Sequence, residues 1–251
     1  MNTAQKRSAA VLGALGVVVG AVVLAVLALV GLPWLVGLVA GAVAGIAAAI
    51  GLHLMAWRLL LRLTRTTKPS GEVEEVLDNV LEGLCLSHGI RAPELRIIHS
   101  GSVNSLAAAR TPAHAAIVIT TGAVEHLERI ELEGLLAHHL CRIRRGDAAF
   151  ETLAGVLVAW PLGTTGWLRR RVMDRVLPKG RGIAADFEAV SLTRYPPGLL
   201  SALMTLSRQA PQVPSPTVAA LHMWIDEPDW GTTDAVRNLR LETRIAALNE
   251  L

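Results

Sequence analysis

The chain is poor in cysteine: Cys85 and Cys141 are the only two among 251 residues. Two thiols do not make a disulfide framework. Both lie within apolar helical patterns, where a free cysteine is ordinarily a buried thiol in a reducing compartment. Net charge is also small, +3 at neutral pH with a sequence pI near 9.3. No basic stretch is interleaved with aromatic residues, so the composition gives no footing for nucleic-acid binding. Charge is lacking altogether from Ala9 to Val30, and between Trp34 and Trp57 the only ionisable side chain is His53.

What fills those uncharged stretches is apolar. The hydrophobic fraction is 52% and the mean hydropathy +0.44, with the excess concentrated before Trp57. A helix needs roughly 20 apolar residues to cross the hydrocarbon core, and each run supplies them. The first run lacks a small-residue cleavage site ahead of a polar stretch, and a second run follows at once. Both features favour an anchor over a removable leader. The expectation is a hairpin over residues 1–65, with spans at about 9–31 and 34–57 joined by the uncharged turn Gly31-Leu32-Pro33. Lys6 and Arg7 precede the first span, and Arg58, Arg62, Arg65 and Lys68 follow the second. The excess of cations beside the cytoplasmic ends of membrane helices therefore puts both ends of the chain in the cytoplasm, as a multi-pass protein of the cell (inner) membrane. Gly16 and Gly20, and the ladder Gly37, Gly41 and Gly45, let helix backbones approach closely. They fit packing of the two spans on each other, or a contact with another membrane protein or a second copy.

Residues 66–71 (Thr-Thr-Lys-Pro-Ser-Gly) read as a polar linker, and 72–251 as the cytoplasmic domain. An apolar stripe predicts a helix from Glu72 to His88. Leu95 to His99 reads as a short strand, Ser102 to Ala109 as a turn into an extended piece, and the β-branched run Ala116 to Thr120 as a strand. Helices follow near Ala123, from Ile130 to Arg145, from Ile183 to Thr193, from Leu199 to Gln209 and from Leu239 to Leu251. The apolar stretch 152–163 is too short to span comfortably, because Glu151, Pro161 and Gly163 interrupt it. Arg169, Arg170 and Arg171, beside Trp160 and Trp167, suit a surface facing the membrane. Pro211 to Pro216 reads as a loop.

The segment Glu131-Leu132-Glu133-Gly134-Leu135-Leu136-Ala137-His138-His139-Leu140-Cys141-Arg142 leads into Ile143-Arg144-Arg145-Gly146-Asp147. It resembles the active-site helix of the HtpX-like membrane zinc metalloproteases. Asn104-Ser105-Leu106-Ala107, Ile117 to Gly122, Ala185-Asp186 and Leu241-Glu242-Thr243-Arg244-Ile245 resemble further segments of that family in the same order. The ordered set covers residues 72 to 251. The resemblance implies a mainly helical α+β chain: a two-helix transmembrane hairpin plus a zincin-like (minigluzincin-type) cytoplasmic domain with a small β-sheet.

The same resemblance assigns positions for the chemistry, and three of four have changed. In a zincin two histidines four apart on one helix face bind Zn²⁺, and the glutamate between them is the general base. His138 holds the first ligand position. His139 stands at the base, Arg142 at the second ligand, and Gly182 at the glutamate ligand of the later helix. A guanidinium is permanently protonated and has no electron pair to donate. One histidine with waters falls short of the three protein ligands of a catalytic zinc site. The expectation is therefore no metal and no intact catalytic set. His138 and Cys141, three residues apart, could share a relocated metal. Asp186 would orient a ligand histidine in the family. Here it is expected to pair with Arg142, one cation replacing another.

Two functions follow. The first is a membrane-anchored pseudo-peptidase that binds a client polypeptide or a membrane-protein partner as a scaffold or regulatory subunit. Its peptide edge would be built from Asn104, Ser105, Leu106, Ile117 and Ile119. The alternative is an active zinc-dependent endopeptidase of membrane protein quality control with non-standard ligands.

Overall fold

A computed structural model describes residues 3–163, 165–208, 213, 217–228 and 234–251, with backbone only for 234–239. Helices α1 (Thr3–Leu29) and α2 (Trp34–Leu63) form an antiparallel hairpin, and each outlasts its apolar run. Both are long and apolar enough to cross a membrane. Their outward valines and isoleucines, among them Val17, Val39 and Ile46, are exposed, as lipid-facing side chains must be. The glycines are consumed inside this hairpin. A Cβ at Gly45 would lie 2.2 Å from the carbonyl oxygen of Gly16, and one at Gly41 would lie 2.5 Å from that of Gly20. The small-residue ladder is the seam between the two spans.

The linker is not a free tether. The Thr67 N–H donates to the Ile97 carbonyl at 3.0 Å, and the Ile97 N–H returns the bond at 2.8 Å. Residues 66–71 thus begin by pairing with the outer side of β1 (Glu94–Ile98). Between them lies α3 (Glu72–His88), which has three glutamates in its first turn and Gly89 at φ 61° closing its end.

The sheet holds β1, β2 (Ser105–Thr111) and β3 (His114–Thr120) in the order β1-β3-β2. The β1–β3 pair is parallel and the β2–β3 pair antiparallel. Strand β3 is central, and its residues from Ala115 to Thr120 are buried. Period two sends its side chains to opposite faces. Ile117 and Ile119 join the core of helices, while Ala116 and Val118 join Trp57, Leu60, Leu61 and Trp224. The sheet is therefore a middle layer between the helical domain and the end of the membrane hairpin. This corrects the peptide edge expected from the sequence: Ile117 and Ile119 lie at the centre of the sheet and cannot offer an edge.

Helix α4 (Thr121–His126) starts at Thr120, whose Oγ1 accepts from the Ala123 N–H at 3.3 Å. Helix α5 (Arg129–Arg145) opens with a reciprocal capping box between Glu128 and Glu131 and stops at Gly146, φ 79°. It is the buried spine of the domain. Gly134 permits close contact with α10 (Pro196–Arg208), since a Cβ there would sit 2.5 Å from the Leu199 nitrogen.

Helix α6 (Asp147–Ala154) runs on through a π-helical turn, Gly155–Ala159, into the short α7 (Trp160–Leu162). This is the stretch whose relation to the bilayer the sequence leaves open. Leu153 and Val156 pack with Trp57 and Leu60 at the C-terminal end of α2. Helices α8 (Gly166–Val176), α9 (Arg181–Thr193) and α11 (Asp234–Asn249) complete the domain, with a 3₁₀ segment at Val218–Met223. Helix α11 starts before the expected Leu239. Of the expected Pro211–Pro216 loop, all but Val213 lies outside the described residues.

Candidate functional site

Helix α5 carries His138, His139 and Arg142 through the middle of the domain, and all three are buried. Successive helical residues are turned about 100° from each other, so neighbours in sequence serve different surroundings. His138 and Arg142, one turn apart, line a cavity of about 580 Å³ together with Gly182, Arg244, Arg181 and Arg169. His139 faces the sheet. Its Nε2 lies 2.7 Å from Ser105 Oγ, and its Nδ1 lies 3.4 Å from an Arg142 nitrogen that can only donate. Nδ1 is then the acceptor and Nε2 carries the proton. Burial, with His138, Arg142 and Arg244 nearby, keeps the His139 ring well below the usual histidine range. It is a neutral, satisfied core side chain, turned away from the place a base would need.

The pair expected from the sequence does not form. Arg142 instead donates to Glu151 of α6 and, at 3.1 Å, to the Met223 carbonyl. Asp186 is taken by Arg244, whose Nε and a terminal nitrogen each reach a different carboxylate oxygen at 2.7 Å. Two parallel bonds from a planar guanidinium are the strongest match a carboxylate can find. Helix α11 brings that guanidinium directly over Gly182, where a Cβ would come within 3.6 Å of Arg244 Nε. Two arginines, not one, thus occupy the neighbourhood of the expected metal centre.

Glu151 is the member that sequence reasoning missed. It is wholly buried and holds two arginines, Arg142 and, at 2.6 Å, Arg181 Nε. Its backbone carbonyl accepts from His222 Nε2 at 3.0 Å. Burial alone pushes the Glu151 carboxyl up, but Arg142, Arg181 and His222 outweigh it and hold the group below its usual value. Asp186 behaves likewise: burial opposes ionisation, and Arg244 and His138 overcome it. The one signal for Glu151 was a lone acid inside an apolar run.

The His138 ring stands with Nδ1 2.7 Å from Asp186 Oδ1, an ion pair only when the ring is protonated. Burial pulls its pKa down to about 4 against the upward pull of Asp186. His138 is therefore neutral at physiological pH, as a metal ligand would have to be. Its neighbours do not suit a metal. Arg142 and Arg244 bring permanent positive charge, Gly182 brings no donor, and Asp186 is already committed to Arg244. Among the described residues no three His, Cys, Asp or Glu side chains gather as a metal-holding group. Cys141 is not a substitute either. It packs in the helical core, it does not line the cavity, and burial pushes its thiol up to about 12. The donor set does not fit zinc.

The expected peptide edge is also differently placed. Ser105 and Leu106 begin β2, an edge strand, but its outer side is occupied by the chain itself. Leu106 bridges to Trp224, and the Ile225 N–H donates to the Ser105 carbonyl at 2.8 Å. Asn104 is the clasp. Its Nδ2 donates to the Asp226 carbonyl at 2.7 Å, while its Oδ1 accepts from the Ser105 N–H at 2.9 Å and the Asp226 N–H at 3.3 Å. Further along β2, the Ala109 N–H donates to Thr152 Oγ1 of α6 at 3.1 Å. Unpaired strand edges invite foreign strands, and this one is covered at each of these points.

Comparison with known proteins points one way. A protease HtpX homolog of Dictyoglomus thermophilum is 28% identical over 201 residues, covering 68% of this chain and 66% of that protein. One from Methanosarcina acetivorans is 28% identical over 168 residues, 55% of this chain and 57% of its own length. One from Limosilactobacillus reuteri is 29% identical over 188 residues, 60% and 62%. The chain thus spans two thirds or less of the length of these relatives. No protein-family model matches it, and no solved structure does. With the membrane hairpin, the small mixed sheet and the buried helix bearing His138, the chain is similar to the HtpX-homolog proteases, and its two apolar helices support a place in a membrane.

Proposed function

We propose that this chain is a catalytically inactive member of its family, a membrane-anchored binding or regulatory subunit and not a peptidase. The observation that carries the reading is the Arg142–Glu151 ion pair at the second ligand position. A permanent cation stands there, anchored by a buried carboxylate and a backbone carbonyl. It cannot donate electrons to zinc, and moving aside would leave one oxygen of the buried Glu151 carboxylate without its partner. Arg244 over Gly182 adds a second cation where the third ligand would be. Peptide capture by strand addition has less surface to use, because the chain's own residues meet β1 at Ile97 and β2 at Ser105, Leu106 and Ala109. The binding role is accordingly assigned to the cleft and the membrane-side surface. The cationic flanks, Lys6 and Arg7 before the first span and Arg58, Arg62, Arg65 and Lys68 after the second, support a cytoplasmic domain.

The printed name of the relatives, protease, supports the second reading, a zinc endopeptidase with non-standard ligands. The two separate in one assay. Full-length protein purified in mild detergent is incubated with an unfolded polypeptide and added zinc. The inactive reading expects no cleavage above that of the His138→Ala variant. Cleavage that depends on zinc and on His138 would establish the peptidase.

A further inference from the structure

The cleft is not merely plugged. Behind its wall, Glu151 is shared by Arg142 and Arg181, which leaves one net positive charge, and Asp186 neutralises Arg244. At its rim Arg240 is matched by Glu227 and Asp174. Arg169, Arg170 and Lys179 remain, and among the described residues none of the three makes an ion pair. Arg169 is the telling one. It is 6% exposed, it lines the cavity from α8, and its buried Nε has no hydrogen-bond partner among the described residues. A buried charge is ordinarily paired and hydrogen-bonded, because leaving water costs it heavily. Burial works against this guanidinium's charge and only the more distant Glu227 favours it, with Arg170 opposing. A second orphan faces the same space. His222 donates from Nε2 to the Glu151 carbonyl, which leaves the lone pair of its buried Nδ1 without a partner.

We infer that the remodelled cleft is an anion site for a phosphate group, with Arg169 as its buried anchor, Arg170 and Lys179 as its outer cations, and His222 Nδ1 accepting the phosphate's own hydroxyl. The planar fork of Arg169 suits phosphate oxygens. About 580 Å³ is ample for a phosphate and the small molecule or headgroup that bears it. Lys179 and Gly180 are exposed at the rim, so a ligand has an entrance. Two sources of phosphate fit. Leu177 and Pro178, in the wall of this cavity, also border a small cleft with Arg7 and Val11 at the start of α1, which puts the site beside the headgroup layer. A soluble phosphate compound could enter by the same rim. This inference rests on the metal-free reading of the cleft.

The test uses the full-length protein. In detergent, thermal unfolding and calorimetry are followed with inorganic phosphate against chloride at matched ionic strength. In nanodiscs, bilayers of phosphatidylcholine alone are compared with bilayers containing phosphatidic acid. The expected result is saturable stabilisation by one or both probes, weakened about tenfold in Arg169→Gln through loss of a charged hydrogen bond. Half-buried Arg170→Gln should weaken it severalfold and serves if Arg169→Gln does not fold. A response to free phosphate in detergent assigns a soluble source. A response only to phosphatidic acid assigns the lipid headgroup. No saturable response to either probe, or a response undiminished in the variants, overturns the site. Zinc is assayed on the same samples: a zinc-free protein that ignores both probes defeats this inference alone, whereas stoichiometric zinc at His138 defeats the reading beneath it.

Discussion

At the scale of single residues the domain turns on two buried carboxylates and the arginines that hold them. Removing one partner of a buried pair costs about 3–5 kcal/mol, mostly because the other is left as an uncompensated charge. Asp186 has Arg244 as its bidentate partner, and both are buried. Arg244→Ala should therefore lower stability by that amount in chemical unfolding of the detergent-solubilised protein. Arg142→Ala should cost less, about 2 kcal/mol, because Arg181 still holds the other oxygen of Glu151. The reverse ranking would show that Asp186 is better shielded than its geometry indicates. Much of this site was legible. Helical period put His138 and Arg142 on one face of a helix, and the resemblance to the HtpX-like proteases implied that Gly182 and Asp186 stand beside them. The partners were not legible, since pairing depends on which helices cross there. The sequence offered Arg142 to Asp186, and Arg244 on α11 reached it instead. Glu151 sat unread in an apolar run, where only the fold shows that it is buried beside cations.

At the scale of elements, the membrane hairpin is specified by small residues meeting small residues. Any side chain at Gly45 would strike the Gly16 carbonyl, so Gly45→Leu must drive α1 and α2 apart. Overpacking of this kind costs about 1–3 kcal/mol. Gly51→Leu on the same helix meets nothing within 4 Å and should be silent. Disulfide crosslinking between cysteines introduced on the two spans reads the separation directly, and equal behaviour of the two variants would refute the seam. Both spans and the two main strands were evident from apolar run length and β-branched content. The sheet order was not, because an alternation of side chains cannot say which strand lies in the middle. That is why Ile117 and Ile119 were expected at an edge, and why the cover that Trp224, Ile225 and Asp226 lay over β2 was unforeseen. Pairing across more than a hundred residues leaves no mark in local periodicity.

At the scale of the whole molecule, three buried neutral histidines tie stability to pH. Burial lowers His138 and His222 to about 4 and takes His139 well below its usual value. Between about pH 6.5 and 4 the unfolded chain binds protons at these rings that the folded chain refuses. Stability must therefore fall as pH drops through that window, and the depressed carboxyls Asp186 and Glu151 extend the loss to lower pH. Unfolding free energies measured from pH 7.5 to 4.5 should decline from about 6.5 downward. A flat profile would mean that these rings are hydrated. The same three layers, membrane hairpin, sheet and helical domain, carry the central claim that a cation has replaced the metal. It is tested most directly by the zinc bound per chain in full-length protein purified in zinc-supplemented medium, with X-ray absorption at the zinc edge. The account predicts far less than one equivalent, unchanged in His138→Ala. About one equivalent per chain with a nitrogen ligand, lost in His138→Ala, would contradict it.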